Sequence, residues 1–194
     1  MPEVSATMVR ELRDKTGLPM MKCKKALEEN GGDIARAEEA LRKQGMKTAA
    51  REGRNVSEGA LGSYIHHNRK IGVLLEMGCE TDFVAKNADF VKLINDICMH
   101  IAASNPRWIR REDVDAATVA KEQEIASAQV VGKPAPIVDK IVSGKLDAFY
   151  KEHCLLEQGY IENEKMSVQE LINTLQMKIG ENLSVNRFVR YQLG

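Results

Sequence analysis

The sequence predicts an α+β protein, and three observations predict it. Three short amphipathic helical stretches open the chain within residues 4–45. Two alternating apolar runs, 61–65 and 71–77, flank a polar turn, and a third alternating run closes the chain at 183–193. Longer helical patterns lie between them, so helices are grouped around a small antiparallel sheet.

The opening helices follow from apolar spacing and stop signals. Val4, Met8, Val9 and Leu12 share a helical face, and Thr16-Gly17 ends the first helix. Pro19 suits the first turn of the second, which carries Met20, Met21, Cys23, Ala26 and Leu27. Asn30-Gly31-Gly32 stops it. Asp33 caps a third helix in which Ile34, Ala37 and Leu41 face inward, and Gly45 is expected to close it. Three small helices bury little area, so modest stability is expected. Residues 1–54 are read as this module with its linker, the polar, basic stretch 46–57, and 55–194 as an α+β core.

In the core, Leu61, Ser63 and Ile65 alternate, as do Ile71, Val73, Leu75 and Met77, with His67-Asn68-Arg69 as the turn. Residues 87–104 form a strong helical pattern, burying Phe90, Val91, Ile94, Ile97, Cys98, Ile101 and Ala102; Pro106 ends it. Trp108-Ile109 starts an extended piece, and 115–130 is a charged helix. Residues 134–158 read as two helical stretches broken or bent at Gly144. Ser167-Val-Gln-Glu170 is a capping box that opens a helix striped with Val168, Leu171, Ile172, Leu175 and Ile179. The two helical regions around Gly159–Met166 suggest an antiparallel helical hairpin at about 134–180. Leu183, Val185, Val189, Tyr191 and Leu193 close the chain as a strand that joins the hairpin's sheet, with Arg187 the odd residue on its face.

Bulk properties exclude several classes. The chain has 194 residues, with 28 basic and 28 acidic side chains, so no strong overall field recommends nucleic acid or an anionic membrane. Its apolar runs fall well short of the roughly 18–20 residues that span a bilayer. Met1-Pro-Glu-Val lacks the basic start and apolar stretch of a secretory signal, so a cytoplasmic protein is expected. Cysteines 23, 79, 98 and 154 form no Cys-x-x-Cys pair and read as free thiols.

The most informative stretch is Thr81-Asp82-Phe83-Val84, where a strand hands over to a helix. An acid and an aromatic sit side by side there. Either both are presented at the surface on a firm base, or Phe83 tucks under the helix and Asp82 caps it. No phosphate-binding Gly-x-x-x-x-Gly-Lys-Ser/Thr loop and no dinucleotide fingerprint are present; Gly132-Lys133-Pro134 lacks both spacing and hydroxyl. His66 and His67 are adjacent and point to opposite faces of a strand, which disfavours a shared metal. His100 and His153 read as polar flanks of helices. Pro106-Arg-Trp-Ile-Arg-Arg111 combines basic residues with an aromatic, a pattern that can bind single strands of nucleic acid but more readily describes a Trp packed under a loop with solvated arginines around it.

The stretch Gly72-Val-Leu-Leu-Glu-Met-Gly-Cys-Glu-Thr-Asp-Phe-Val-Ala-Lys-Asn87 closely resembles a signature of the elongation factor Ts family. Leu12-Arg-Asp-Lys-Thr-Gly-Leu-Pro-Met-Met-Lys-Cys-Lys-Lys-Ala-Leu27 resembles its other signature. The resemblance implies a guanine-nucleotide exchange factor for elongation factor Tu, acting in translation elongation without covalent chemistry. It implies no cofactor or metal of its own, since GDP and Mg²⁺ belong to the partner. It also implies a ubiquitin-associated-like fold for the N-terminal module. Asp82 and Phe83 would be the exchange wedge, supported by Thr81 and Val84, and Leu12, Met20 and Met21 would contact the partner. Longer members carry an internal duplication. One hairpin and one closing strand mark this chain as similar to the short form, which pairs up, so a homodimer is implied and no direct nucleic-acid contact is expected.

Overall fold

The computed structural model describes residues 4–48, 56–130 and 134–194. The protein is α+β, with helices around a small antiparallel sheet. Two compact units emerge, each discontinuous in sequence. One gathers residues 1–60, 77–91 and 170–184, the other 61–76, 92–169 and 185–194. The expected boundary near residue 54 lies outside the described residues.

In the first unit, α1 (Ala6–Thr16), α2 (Met20–Glu29) and α3 (Ile34–Thr48) form the ubiquitin-associated-like module. Ser5 caps α1 by accepting from the Met8 N–H at 3.3 Å. Gly17 ends the helix at φ 67°, where a side chain would be strained. Val9, Leu12, Leu18, Cys23, Ala26, Leu27, Ala37 and Leu41 form the buried core, and Met177 from later in the chain packs against it. Helix α3 runs through Gly45 to Thr48, so Gly45 does not close it. An interior glycine costs only about 1 kcal/mol, which a packed helix tolerates.

The sheet has the order β1-β2-β5, from β1 (Glu58–Ile65), β2 (Ile71–Cys79) and β5 (Ser184–Gln192). The His66 N–H donates to the Ile71 carbonyl at 2.9 Å across the hairpin. The turn holds Arg69 at φ 57°, and the Asn68 side chain accepts from the Lys70 N–H. Strand β5 runs antiparallel to β2, as the Leu193 N–H donates to Lys70 and Arg187 pairs with Glu76 at 2.6 Å.

Helix α5 (Ala88–Ser104) lies on the inner face of the sheet. Its Leu93, Ile94, Ile97, Cys98, Ile101 and Ala102 are buried, and the Arg190 guanidinium donates to the Ala102 carbonyl. Val91, expected inside, is exposed, and Leu93 takes its place. The phase of β1 also differs from expectation: Leu61 and Ile65 face outward, and Gly62 faces α5. Periodicity could not register this, because the inward position is a glycine with no hydrophobic side chain to count.

Asp115 caps α6 (Ala116–Ala128) through the Thr118 N–H at 2.8 Å. Helix α7 (Ala135–His153) is continuous through Gly144, which has open space around it, so the expected break is absent. Residues 159–167 are not a plain connection between helices. They form an antiparallel ribbon of β3 (Gly159–Tyr160) and β4 (Asn163–Ser167) before α8 (Val168–Ile179). Helices α6 and α7 pack against each other. The ribbon's polar residues carry no apolar alternation, so the sequence did not announce it.

Candidate functional site

The turn after β2 is built on Thr81. Its hydroxyl accepts from the Val84 N–H at 3.3 Å and thereby caps the four-residue helix α4 (Asp82–Ala85). The same hydroxyl donates to Glu181 Oε1 at 2.8 Å, and the Thr81 N–H donates to Glu181 Oε2 at 3.1 Å. The Thr81 carbonyl accepts from the Cys79 thiol at 3.1 Å and from the Ala85 N–H at 3.2 Å. One residue back, Glu80 accepts from the Asn182 N–H at 2.8 Å. Asn87 then opens α5, its side chain accepting from the Asp89 N–H at 2.8 Å.

This base sorts the next three side chains. Val84 is buried at 3% exposure and anchors the turn. Phe83 is 78% exposed, so it does not tuck under the helix. A large ring left in water at a tethered turn marks a contact surface better than a core element. Asp82 is also exposed and is not the cap; its carboxylate pairs with Lys86 Nζ at 2.9 Å. The hydrogen bond from Lys86, and then its charge, hold the Asp82 carboxyl below the usual carboxylate range. The reverse interaction holds the Lys86 ammonium above its usual value.

A second apolar surface lies in the same compact unit. Met20 and Met21, at the start of α2, are 49% and 75% exposed. Cys23, Ala26 and Leu27 take the inward positions instead. Leu12 differs from its expected neighbours: it is fully buried in the three-helix core. Its side chain is therefore part of the core and not of this exposed surface.

A model of the family described as Elongation factor TS matches residues 24–194. The chain belongs to the elongation factor Ts family. It is 53% identical to elongation factor Ts of Anaeromyxobacter sp. (strain K) over 197 residues, covering 100% of this chain and 90% of that protein. It is similar at 52% identity to elongation factor Ts of Fervidobacterium nodosum, with 99% of each chain covered. The elongation factor Ts of Thermosipho melanesiensis is 50% identical, covering 98% of this chain and 99% of that protein. Membership in the elongation factor Ts family places this chain in protein biosynthesis, at the elongation step.

Other sequence candidates resolve into packing. The Cys79 thiol is buried and bonded to a carbonyl. Burial, and next the charge of Glu181, push its pKa up, the opposite of an activated nucleophile. All four cysteines are buried free thiols, and burial raises Cys98 and Cys154 to about 11. His66 meets the Tyr64 hydroxyl at 3.0 Å. His100 is fully buried and is no polar flank; its Nε2 meets Gln158 Oε1 at 3.0 Å. Trp108 packs against Phe149 and His153, with the Arg107 guanidinium 4.3 Å above its ring. Arg111 is held by Glu157 and by Asp147, the latter at 2.8 Å. Among the described residues, no group of three His, Cys, Asp or Glu is placed to hold a metal ion, and no helix is long and apolar enough to cross a membrane. Sequence reasoning missed Glu181 and Lys86. Lys86 carried a findable signal, an i,i+4 spacing from Asp82. Glu181 carried none, because it lies 100 residues from Thr81.

Proposed function

We propose that this chain is a guanine-nucleotide exchange factor that binds elongation factor Tu carrying GDP, disturbs its Mg²⁺ and phosphate site, and promotes GDP release. One observation carries the reading: Phe83 and Asp82 stand exposed on a turn whose base is fixed, Thr81 by its hydrogen bonds and Val84 by burial. A wedge needs that combination of a free tip and a fixed base.

Exchange needs no covalent chemistry. A factor that binds the empty GTPase more tightly than the loaded one weakens the nucleotide by the same factor. Each tenfold gain in release corresponds to about 1.4 kcal/mol, so a thousandfold gain requires about 4 kcal/mol. Burying Phe83 in a cleft opened on the partner supplies roughly 2–3 kcal/mol of this. Asp82 would leave Lys86 and bring an acceptor toward the groups that hold Mg²⁺. Met20 and Met21 add binding area, and methionine's pliable side chain suits a surface that adapts to its partner. GDP and Mg²⁺ remain the partner's ligands; this chain holds no cofactor in the reaction, works in the cytoplasm and contacts no nucleic acid directly. Residues 1–54 serve as the docking module and 55–194 as the exchange core.

The reading includes a homodimer. The outer face of the sheet exposes Leu61 and Ile65 on β1, Leu74 on β2, and Val189 and Tyr191 on β5. These apolar side chains, with the Glu76–Arg187 ion pair among them, are suited to cover by a second copy. Sedimentation of Leu61→Lys/Tyr191→Lys should show monomer where the unaltered chain shows dimer; monomer for both removes this part.

The deciding experiment is release of fluorescent GDP from elongation factor Tu of the same organism, with excess unlabelled GDP and rising amounts of this chain. Acceleration by substoichiometric amounts is expected. A folded chain that binds the partner at the unassisted release rate would leave only a binding module using Met20 and Met21.

A further inference from the structure

We infer that Glu181 is a positioning residue for exchange: its carboxylate latches Thr81 and so aims the Asp82–Phe83 tip. The inference rests on the exchange reading above and adds to it a residue that makes no contact with the partner. Helix α4 is short. Four residues form one helical turn, which has no stability of its own, because nucleation fixes several dihedrals for a single hydrogen bond. The direction of Phe83 therefore depends on what tethers the turn.

Two kinds of tether are present. Val84 anchors one end by burial. At the other end, both donors of Thr81, the N–H and the hydroxyl, go to the two oxygens of a single carboxylate. The return bond from the Asn182 N–H to Glu80 closes a reciprocal pair between Glu80-Thr81 and Glu181-Asn182. A bidentate acceptor fixes orientation as well as distance. It also polarises the Thr81 hydroxyl, whose oxygen caps Val84, so the cap and the latch strengthen one another.

The latch has a firm mount. Glu181 lies two residues past the end of α8, beyond Gly180, and α8 carries Met177 against the three-helix core. Beside this mount, and no part of it, the exposed Lys178 pairs with Asp89 of α5 at 2.7 Å. The tip is thus referenced, through Glu181 and α8, to the same body that carries Met20 and Met21. A wedge that must enter a cleft while the methionines dock elsewhere needs that common reference, since a displacement of about 1 Å at a working group can cost a hundredfold in rate.

The test compares Glu181→Gln and Glu181→Ala with Lys178→Met. An amide offers only one acceptor oxygen where Thr81 presents two donors, so Glu181→Gln is expected to lower the saturating rate of GDP release by about tenfold, the scale of one charge-assisted hydrogen bond. Glu181→Ala should lower it further. The half-saturating concentration should stay as it is, since Met20 and Met21 still dock. Lys178→Met, which breaks the neighbouring ion pair but leaves the latch, should match the unaltered chain. Hydrogen exchange at the Ala85 amide, which bonds the Thr81 carbonyl, should quicken in both Glu181 variants while the melting midpoint stays within a few degrees. An unchanged saturating rate in Glu181→Ala overturns the positioning role. So does a raised half-saturating concentration at an unchanged rate, which would make Glu181 a partner contact. If the unaltered chain itself fails to accelerate release, the exchange reading falls and takes this role with it, a result distinct from the other two.

Discussion

Gly62 lies so close to Ile94 that a β-carbon on the glycine would stand 2.0 Å from the isoleucine Cγ2, with Cys98 Sγ at 3.2 Å. Strand β1 and helix α5 thus meet through a glycine because nothing larger fits. Gly62→Ala is expected to destabilise by about 1–3 kcal/mol through overpacking. Ile94→Ala alone should also destabilise, by about 2–5 kcal/mol, because it leaves a cavity. The two together should cost less than their sum, since the added methyl enters the vacated space. Urea unfolding of the four chains measures the coupling; strict additivity would show that the pair does not touch.

Phe83 and Val84 are adjacent and should respond in opposite ways. Phe83→Ala removes a ring that already stands in water, so stability should change by no more than about 0.5 kcal/mol. GDP release from elongation factor Tu should nevertheless fall to near the unassisted rate. Val84→Ala should destabilise by on the order of 2 kcal/mol, since that side chain is in the core. Thermal melts and release assays on the same preparations separate the two. Melting of Phe83→Ala well below the unaltered chain would return Phe83 to the core.

Much of this was legible in the sequence. The stops at Gly17 and Asn30-Gly31-Gly32, the cap at Asp33 and the turn at His67-Asn68-Arg69 each rest on local backbone chemistry and formed as expected. What the sequence hid was non-local. Gly62 faces inward because a helix lies against it, and only the tertiary structure supplies that helix. His100 sits in a polar position of the helical pattern, yet Gln158, 58 residues away, gives it a partner inside. Thr81 and Glu181 meet across a wider gap of 100 residues. The Asp82–Phe83 motif could be located by resemblance, while its exposure could not, since an aromatic beside a strand end serves equally well inside or outside.

Met21 and Met20 differ enough in exposure to predict unequal effects. Met21→Ala should weaken binding to elongation factor Tu by about 1 kcal/mol or more, with Met20→Ala costing less. Neither should shift the melting midpoint by more than a few degrees, because Cys23, Ala26 and Leu27 carry the burial of α2. Titration calorimetry with elongation factor Tu·GDP checks this. Leu12→Ala serves as the contrast: its loss should appear in stability, by about 2–5 kcal/mol, and reach affinity only through unfolding. A Leu12→Ala chain that melts normally yet binds poorly would restore Leu12 to the contact surface.

His100 predicts a particular loss of stability in acid. The Gln158 amide donates to the Glu152 carbonyl at 2.6 Å, which turns its oxygen toward His100. His100 Nε2 must then be the protonated nitrogen, leaving Nδ1 buried with no hydrogen-bond partner among the described residues. A second proton on that ring would place a charge in the core with nothing to accept from it. Burial accordingly lowers the folded-state pKa, with the Gln158 hydrogen bond opposing in part. The sign follows from linkage. The folded state holds fewer protons on this ring than the unfolded chain does once pH drops below about 6.5, the ordinary histidine value. Stability is therefore fully present above that pH and declines as pH falls toward the folded-state value, by at most about 1.4 kcal/mol per pH unit from this one group. His100→Gln keeps a donor toward Gln158 and cannot titrate. Urea midpoints between pH 7.5 and 5, taken at about half-unit steps, should fall more steeply for the unaltered chain than for His100→Gln. Parallel curves would mean that the buried ring accepts its second proton without penalty, and that Nδ1 has found a partner such as water.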